Sequence, residues 1–232
     1  NVALVESNPF SNLRLPIVER PDIHPPTLDE YRELLNAVTV LGGYGPEFRA
    51  MIQFSAWTGI RAGELQALRW DDIGAEEITV SASRRRDGSL GKPKNGRVEA
   101  MPFPPPARVL DDVPRRPDSF VFHSARGKPL AQGSHHYSWR SVRARAGVRE
   151  SIRWHDLRHF CATQLLDMGV DHFAVSVQLR HHDGGRLVME RYGHPSREAA
   201  RDRLLGAFSF ESETTGRWAG SRAAGQAESQ AR

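Results

Sequence analysis

The sequence predicts a mainly α-helical chain with a small antiparallel β-hairpin, which is an α+β fold. Helix-start and helix-stop signals recur along it: residues 27–30 have the Thr-x-x-Glu capping-box pattern, and Pro46 and Gly59 suit the two ends of a second helix. Strand signals are confined to one place, because residues 77–84 alternate apolar and polar side chains and 98–103 is the expected partner. The glycine-rich segment between them makes the pair a hairpin.

The remaining elements follow from local signals in chain order. Glycines within 42–45 end the first helix near residue 40, and Pro46 opens the next one. Past the prolines at 104–106 the pattern is mainly helical, and the run 120–122 is too short to be more than a strand fragment. The segments expected to be helical are 27–40, 46–59, 63–68, 105–113, 134–147, 155–168, 171–179, 186–192 and 196–207.

Composition divides the chain into three parts. Repeated prolines in residues 1–26 prevent a continuous helix, so this segment is expected to be a linker. Residues 27–208 are expected to form the folded domain. From Glu211 onward apolar residues are few, and 209–232 is expected to be a disordered tail.

The basic residues are concentrated in one segment. The chain of 232 residues has a formal net charge of +4. Residues 84–97 hold six basic residues and one acidic residue, a local charge of +5, which leaves about −1 for the rest of the chain. A focused basic segment is typical of a nucleic-acid contact, although a solvated basic loop has the same composition. The residues expected to contact DNA are Arg84, Arg85, Arg86, Lys92 and Arg97.

Composition also indicates the compartment. No apolar run is long enough to cross a bilayer. The single cysteine, Cys161, excludes an intrachain disulfide and suits a reducing cytoplasm. We therefore expect a cytoplasmic protein without a membrane partner.

Three short motifs contain phosphate-binding and proton-transferring side chains. Arg61 lies in the run T-G-I-R-A-G-E, and Arg158 lies in H-D-L-R-H. His181 is followed 11 residues later by Tyr192. Two guanidiniums form a fork that matches phosphate oxygens, and a phenol beside it is a candidate nucleophile toward phosphorus. Cutting a DNA strand through a phosphotyrosine link would need this combination, with histidines to move the proton.

In these motifs the chain resembles the tyrosine recombinases, also called phage integrases. The resemblance runs over about 27–208, which it identifies as a catalytic domain with the tyrosine recombinase fold. The run H-H-D-G-G at 181–185, with Y-G-H at 192–194, is similar to a variant associated with actinobacteria and their phages. Family members usually carry an N-terminal helical domain, so residues 1–26 are expected to be the end of that missing domain and its linker.

The resemblance implies a role for each motif residue. Arg61 and Arg158 would grip the scissile phosphate. His155 lies three residues before Arg158, on the same helix face, and would accept the phenol's proton or position the phenol. His181 would be the second active-site histidine. Tyr192 would be the nucleophile that forms 3′-phosphotyrosyl DNA and frees a 5′-hydroxyl.

Further positions follow from the same resemblance. A lysine in the hairpin turn donates a proton to the leaving 5′-oxygen in the family; Lys94 is the better match and Lys92 is the fallback. Glu64 is expected to be structural support, because a carboxylate in direct contact would repel a phosphate. Arg180 stands where the family has glycine. Because arginine disfavours the positive φ and close packing that glycine permits, the geometry of His181 is expected to differ from the family's.

The implied function is site-specific DNA recombination or integration by strand cleavage and rejoining. Double-stranded DNA would be the partner, with a homotetramer on synapsed DNA and a monomer when free. The protein would be cytoplasmic and associated with the nucleoid. No metal, ATP or other cofactor is expected, because the phosphotyrosine link stores the bond energy.

Three alternatives stay open at this point. A type IB topoisomerase shares the chemistry without a synaptic partner. A DNA-binding protein of the same fold with impaired catalysis is favoured only by Arg180. A metal-dependent hydrolase could use His155, His159 and the run 181–183, although the helix lacks the glutamate of H-E-x-x-H.

Overall fold

Helices dominate the computed structural model, which describes residues 24–93, 96–192, 201 and 204–205. The α-helices are α1 (Leu28–Ala37), α2 (Gly45–Thr58), α3 (Ala62–Leu65), α4 (His136–Ala146), α5 (Asp156–Asp167), α6 (His172–Gln178) and α7 (Arg186–Tyr192). The strands are β1 (Glu77–Val80), β2 (Ser83–Arg84), β3 (Leu90–Gly91) and β4 (Glu99–Pro102). The predicted fold class is therefore confirmed: a mainly α chain with small antiparallel sheets.

The hairpin contains two separate strand pairs, where the sequence predicted one. β1 pairs antiparallel with β4 from Glu77–Pro102 to Val80–Glu99. Beyond the break at 81–82, β2 pairs with β3. Pro93 follows β3 closely and has no N–H to donate, which limits the inner ladder.

The helix predicted at 105–113 is wrong: only Pro105–Ala107 forms a 3₁₀ turn. The chain leaves the helical region at Arg108, whose ψ is 56°. Its guanidinium turns back to donate to the Phe103 carbonyl at 3.1 Å and to Glu76 at 3.0 Å. These contacts to the base of the hairpin replace a second helical turn.

Some predictions fall on parts of the chain outside the described residues. The predicted linker at 1–26 is described only from residue 24, and the tail at 209–232 is not described. Of the helix predicted at 196–207, only 201 and 204–205 are described, and these are helical. Within the described ranges, no helix combines the length and the apolar character needed to span a bilayer.

An aromatic cluster holds α1, α2 and α5 together. Tyr31 stacks on Phe160 with ring centroids 4.7 Å apart, and Trp57 meets both rings edge-on. Burying a side chain of this size stabilises the fold by roughly 2–3 kcal/mol. A smaller cluster of Cys161, Val175, Leu179 and Val188 packs α5 against α6 and α7. The two clusters bring the ends of α2 and α6 to the same stretch of α5.

Two glycines allow close approaches beside this stretch. Gly59 ends α2 with φ 65°, and a Cβ there would lie 2.4 Å from Leu179 Cδ2. Gly63 packs α3 against β2, and a Cβ there would lie 2.9 Å from the Arg84 carbonyl oxygen. The glycines of the T-G-I-R-A-G-E motif are therefore packing requirements of the fold.

Gly59→Ala should destabilise the protein by about 1–3 kcal/mol more than Gly127→Ala, because overpacking adds to the strain of a positive φ. Gly127 is a matched control: its φ is 67°, and a Cβ there would meet no described atom within 4 Å. Urea denaturation of both variants measures the difference. Equal losses would show that the Leu179 contact relaxes at no cost.

Candidate active site

Arg158 joins the ends of α2 and α6. The residue is only 4% exposed. Nη1 donates to the Gly59 carbonyl and Nη2 to the Leu179 carbonyl, each at 2.5 Å. Nη2 also lies 2.8 Å from Nε2 of His181. The α5 arginine and the histidine after α6 are thus in direct contact, as the motifs predicted for a shared site.

Arg61 lies beside this group at the start of α3. Its backbone N–H and its Nη1 both donate to the Glu64 carboxylate at 3.0 Å, while 27% of its side chain stays exposed. Burial, followed by the charges of Arg61 and Arg180, lowers the pKa of Arg158 to about 9. Arg158 therefore stays protonated at neutral pH next to a second cation.

Arg180 adopts the positive φ that an arginine side chain disfavours. Its φ is 52°, in the left-handed region, and the residue is 5% exposed. Nη2 contacts the Glu64 carboxylate and Nη1 contacts the sulfur of Met101 in β4. Burial raises the pKa of Glu64, but Arg180 and Arg61 together hold it below its ordinary value. The buried ion pair offsets the backbone strain.

The charges in this cluster do not balance among the described residues. Three guanidiniums, those of Arg61, Arg158 and Arg180, face two carboxylates: Glu64 forms ion pairs with Arg61 and Arg180, and Glu99 also acts on Arg180. A buried or half-buried surplus of positive charge is unfavourable without a counter-ion. The arrangement is therefore suited to an anion with oxygens in a plane or a tetrahedron, such as a phosphate.

The Tyr192 hydroxyl contacts Nδ1 of His159, and the two rings are 5.6 Å apart. Burial raises the pKa of Tyr192 to about 12 and lowers that of His159 to about 4. The phenol is therefore protonated and donates to a neutral imidazole. The sequence predicts His155 for this role and indicates His159 only as a metal ligand, whereas the structure places His159 against the phenol.

His155 contacts this pair, and His181 contacts Arg158. His155 is exposed and meets the His159 ring edge-on, with centroids 5.0 Å apart. Burial, followed by Arg158 and Arg61, lowers the pKa of His181 to about 4. Nδ1 of His181 is buried without a hydrogen-bond partner among the described residues. Because Nε2 accepts from Arg158, Nδ1 carries the proton and can donate to a ligand.

The basic hairpin is next to the arginine cluster through the contact of Gly63 with β2. Most of the residues predicted to contact DNA are exposed there: Arg85, Arg86, Lys92 and Arg97. Arg84 differs, because it is half-buried over the Phe120 ring and donates to the Gly88 carbonyl at 2.9 Å. Lys94 lies outside the described residues.

The histidines that could have formed a metal site have separate partners. His159 contacts Tyr192, His181 contacts Arg158, and His182 lies 3.0 Å from Glu99. Over the described ranges, no three or more His, Cys, Asp or Glu side chains are grouped to hold a metal ion. The observed geometry favours an anion site.

The sequence model of the phage integrase family matches residues 27–198, which is more than half of the chain. The chain belongs to the phage integrase family. Among curated proteins it is similar to tyrosine recombinases. XerD of Ralstonia nicotianae is 29% identical over 199 residues, 81% of this chain and 61% of the relative. XerC of Oceanobacillus iheyensis is 28% identical over 207 residues, 87% of this chain and 66% of the relative. The chain spans about three fifths of the length of the XerD relative.

Solved structures show the same fold. The XerA recombinase aligns with a TM-score of 0.61 and 21% identity, covering 84% of this chain and 70% of that one. The Tn1549 transposon integrase in complex with circular intermediate DNA aligns with a TM-score of 0.63 and 19% identity, covering 82% of this chain and 68% of that one. A lambda integrase tetramer bound to a Holliday junction aligns with a TM-score of 0.54 and 20% identity, covering 72% of this chain and 47% of that one.

The free energy of unfolding should fall as the pH falls from about 6.5 to about 4. His135, His159 and His181 have pKa values lowered from 6.5 to about 4, so in this window the unfolded chain binds more protons than the folded chain. Urea denaturation at several pH values measures the slope. His159→Gln should reduce it by about one proton, whereas Tyr137→Phe, at an exposed phenol, should leave it unchanged. An unchanged slope in His159→Gln would contradict the lowered pKa.

Proposed function

We propose that this chain is the catalytic portion of a site-specific DNA recombinase that cuts and rejoins strands through a 3′-phosphotyrosine link. The observation that carries the proposal is that adjacent residues of α5 hold the two reactive groups: Arg158 lies beside the charge of Arg61, and His159 contacts the Tyr192 hydroxyl. Such a site can bind a phosphodiester and present a nucleophile to it. Family membership supports the same conclusion.

The first step is an in-line attack of the Tyr192 oxygen on the scissile phosphorus. A bond forms between the Tyr192 oxygen and phosphorus, and the bond between phosphorus and the 5′-oxygen breaks. The leaving 5′-oxygen takes up a proton and becomes a 5′-hydroxyl. Attack by a 5′-hydroxyl of a partner strand reverses these changes and releases the tyrosine. Bond energy is conserved, so the two steps need no ATP.

The arginines act on the charge that develops during the attack. Arg61 and Arg158 donate to the non-bridging oxygens, where preorganised donors lower the barrier most. The Nδ1–H of His181, which has no partner within the described ranges, is suited to a third such hydrogen bond. His159 accepts the hydrogen bond of the phenol and holds the hydroxyl in place; because its pKa is lowered to about 4, it is a weak base and its proposed role is positioning. Lys94 is the proposed proton donor to the leaving oxygen.

Double-stranded DNA is the proposed partner, gripped by the hairpin on one side of the site. Exposed Arg85, Arg86, Lys92 and Arg97 supply phosphate contacts. The Tn1549 integrase in complex with circular intermediate DNA and the lambda integrase tetramer bound to a Holliday junction support a tetramer on synapsed DNA. We propose that residues 27–208 form the catalytic domain of a protein that works in the cytoplasm on the nucleoid.

Tyr192→Phe should abolish the covalent adduct while leaving folding and DNA affinity unchanged, because only the nucleophilic oxygen is removed. The probe is a nicked duplex selected by this protein from a random-sequence library, and the readout is an SDS-stable complex followed by peptide mapping. Tyr137→Phe is the control. Tyr137 is 72% exposed, and this variant should keep the adduct. A nucleotide mass on any residue other than Tyr192 would rule out the assignment. Strand exchange between two such duplexes separates a recombinase from a type IB topoisomerase.

Neutralising Arg85 and Arg86 together should weaken DNA binding and reduce the slope of log K against log salt by about two phosphate contacts. These guanidiniums are exposed beside the site, so they are free to meet phosphates. Fluorescence anisotropy over a range of salt concentrations measures the slope. Arg32→Gln, an exposed arginine on α1 that pairs with Asp29 at 2.9 Å, is the control. An equal slope in the hairpin variant and the control would place the DNA elsewhere.

A further inference from the structure

Arg180 is unusual because it is a buried arginine at a positive φ. A non-glycine residue in this region carries a cost of about 1–2 kcal/mol, and burying a guanidinium adds a desolvation cost. Burial lowers the pKa of Arg180, and Glu64 acts against this change. Strain of this kind persists only where the surroundings fix the conformation.

Arg61 and Arg158 together form the proposed phosphate clamp. The side chain of Arg180 acts on the Arg61 half of this clamp. Its Nη2 contacts Glu64, which is 1% exposed and also holds the backbone and the guanidinium of Arg61. Without Arg180, Arg61 would be the only described side chain in an ion pair with this buried carboxylate. Arg61 would then be drawn toward Glu64 and away from a phosphate.

The backbone of Arg180 controls the other half. Residue 179 before it supplies the carbonyl that accepts from Arg158, and residue 181 after it supplies the imidazole that contacts the same Nη2. Both neighbours reach one nitrogen because the chain turns sharply at φ 52°. The turn is closed by the N–H of His181, which donates to the Ser176 carbonyl at 2.8 Å.

We propose that Arg180 is a positioning residue that sets both arms of the phosphate clamp, Arg61 through Glu64 and Arg158 through its own backbone. This inference rests on the proposed function. Arg180 does not itself bind the phosphate, since its guanidinium is buried against Glu64 and Met101. It acts only through the arginines that do.

The test uses Arg180→Met, which keeps an apolar side chain of similar length but removes the charge. On the selected nicked duplex, adduct formation should slow by roughly 10²-fold, the effect expected of misplaced catalytic groups, while the DNA dissociation constant stays unchanged. Adding Glu64→Gln to Arg180→Met should restore part of the rate, because no buried carboxylate then competes for Arg61. Arg180→Lys, which keeps a cation beside Glu64, should fall between the wild type and Arg180→Met.

A second substrate separates positioning from general damage to the fold. A methylphosphonate at the scissile position has no charge on its non-bridging oxygen, so it depends less on the clamp. The rate ratio of wild type to Arg180→Met should shrink toward one on this substrate. Equal rates of the two proteins on the ordinary phosphodiester, or the same loss on both substrates, would overturn the inference.

Arg116→Met is the matched control, because Arg116 is the partner of another buried glutamate, Glu47, at 2.9 Å. It should lower stability but leave the cleavage rate of the folded protein unchanged. Guanidinium ¹⁵N spectra of the free protein provide a second measurement that does not depend on DNA cleavage. The Arg61 and Arg158 signals should shift in Arg180→Met, and unshifted signals would refute positioning. If wild type forms no adduct while these signals shift, the proposed function fails and the positioning role stands.

Discussion

The buried guanidinium of Arg158 is the interaction on which the site depends. It reaches from α5 to the last carbonyls of two other helices, at Gly59 and Leu179, and satisfies acceptors that a helix end leaves unpaired. One side chain therefore connects three helices and presents a positive charge at the point where they meet. Removing it would leave buried carbonyls without donors, so this residue of the proposed site also contributes to stability.

Around Arg158, the close approaches between elements depend on glycines or on residues with a positive φ. Gly59 supplies a positive φ and leaves space for Leu179, and Gly63 lets α3 contact β2. Arg180 reaches the left-handed region despite its side chain, because Glu64 supplies a buried counter-charge. The geometry of the cluster is thus fixed by packing and by charge together.

Much of the fold class and of the residue set could be predicted from the sequence, because helix caps and motif spacing are local. Arg158 and His181 are in contact as their motifs indicated. The pairing of Arg180 with Glu64 joins positions 116 residues apart, and no periodic pattern encodes it. The contact of His159 with Tyr192 was missed for the same reason, since it depends on how α7 packs against α5. Likewise, the turn at Arg108 is set by contacts with the hairpin that composition does not reveal.

The depth of Arg158 has a consequence for the lifetime of a protein–DNA link formed beside it. Only 4% of the residue is exposed, and the carbonyls of α2 and α6 occupy the space around its guanidinium. In the proposed reaction, a phosphate bound against this guanidinium would be covered on the side of Arg158, which limits the approach of water as a competing nucleophile. Hydrolysis would leave a permanent nick, whereas an incoming 5′-hydroxyl restores an intact strand. In the proposed reaction, enclosure of the arginine therefore favours resealing over loss of the broken end.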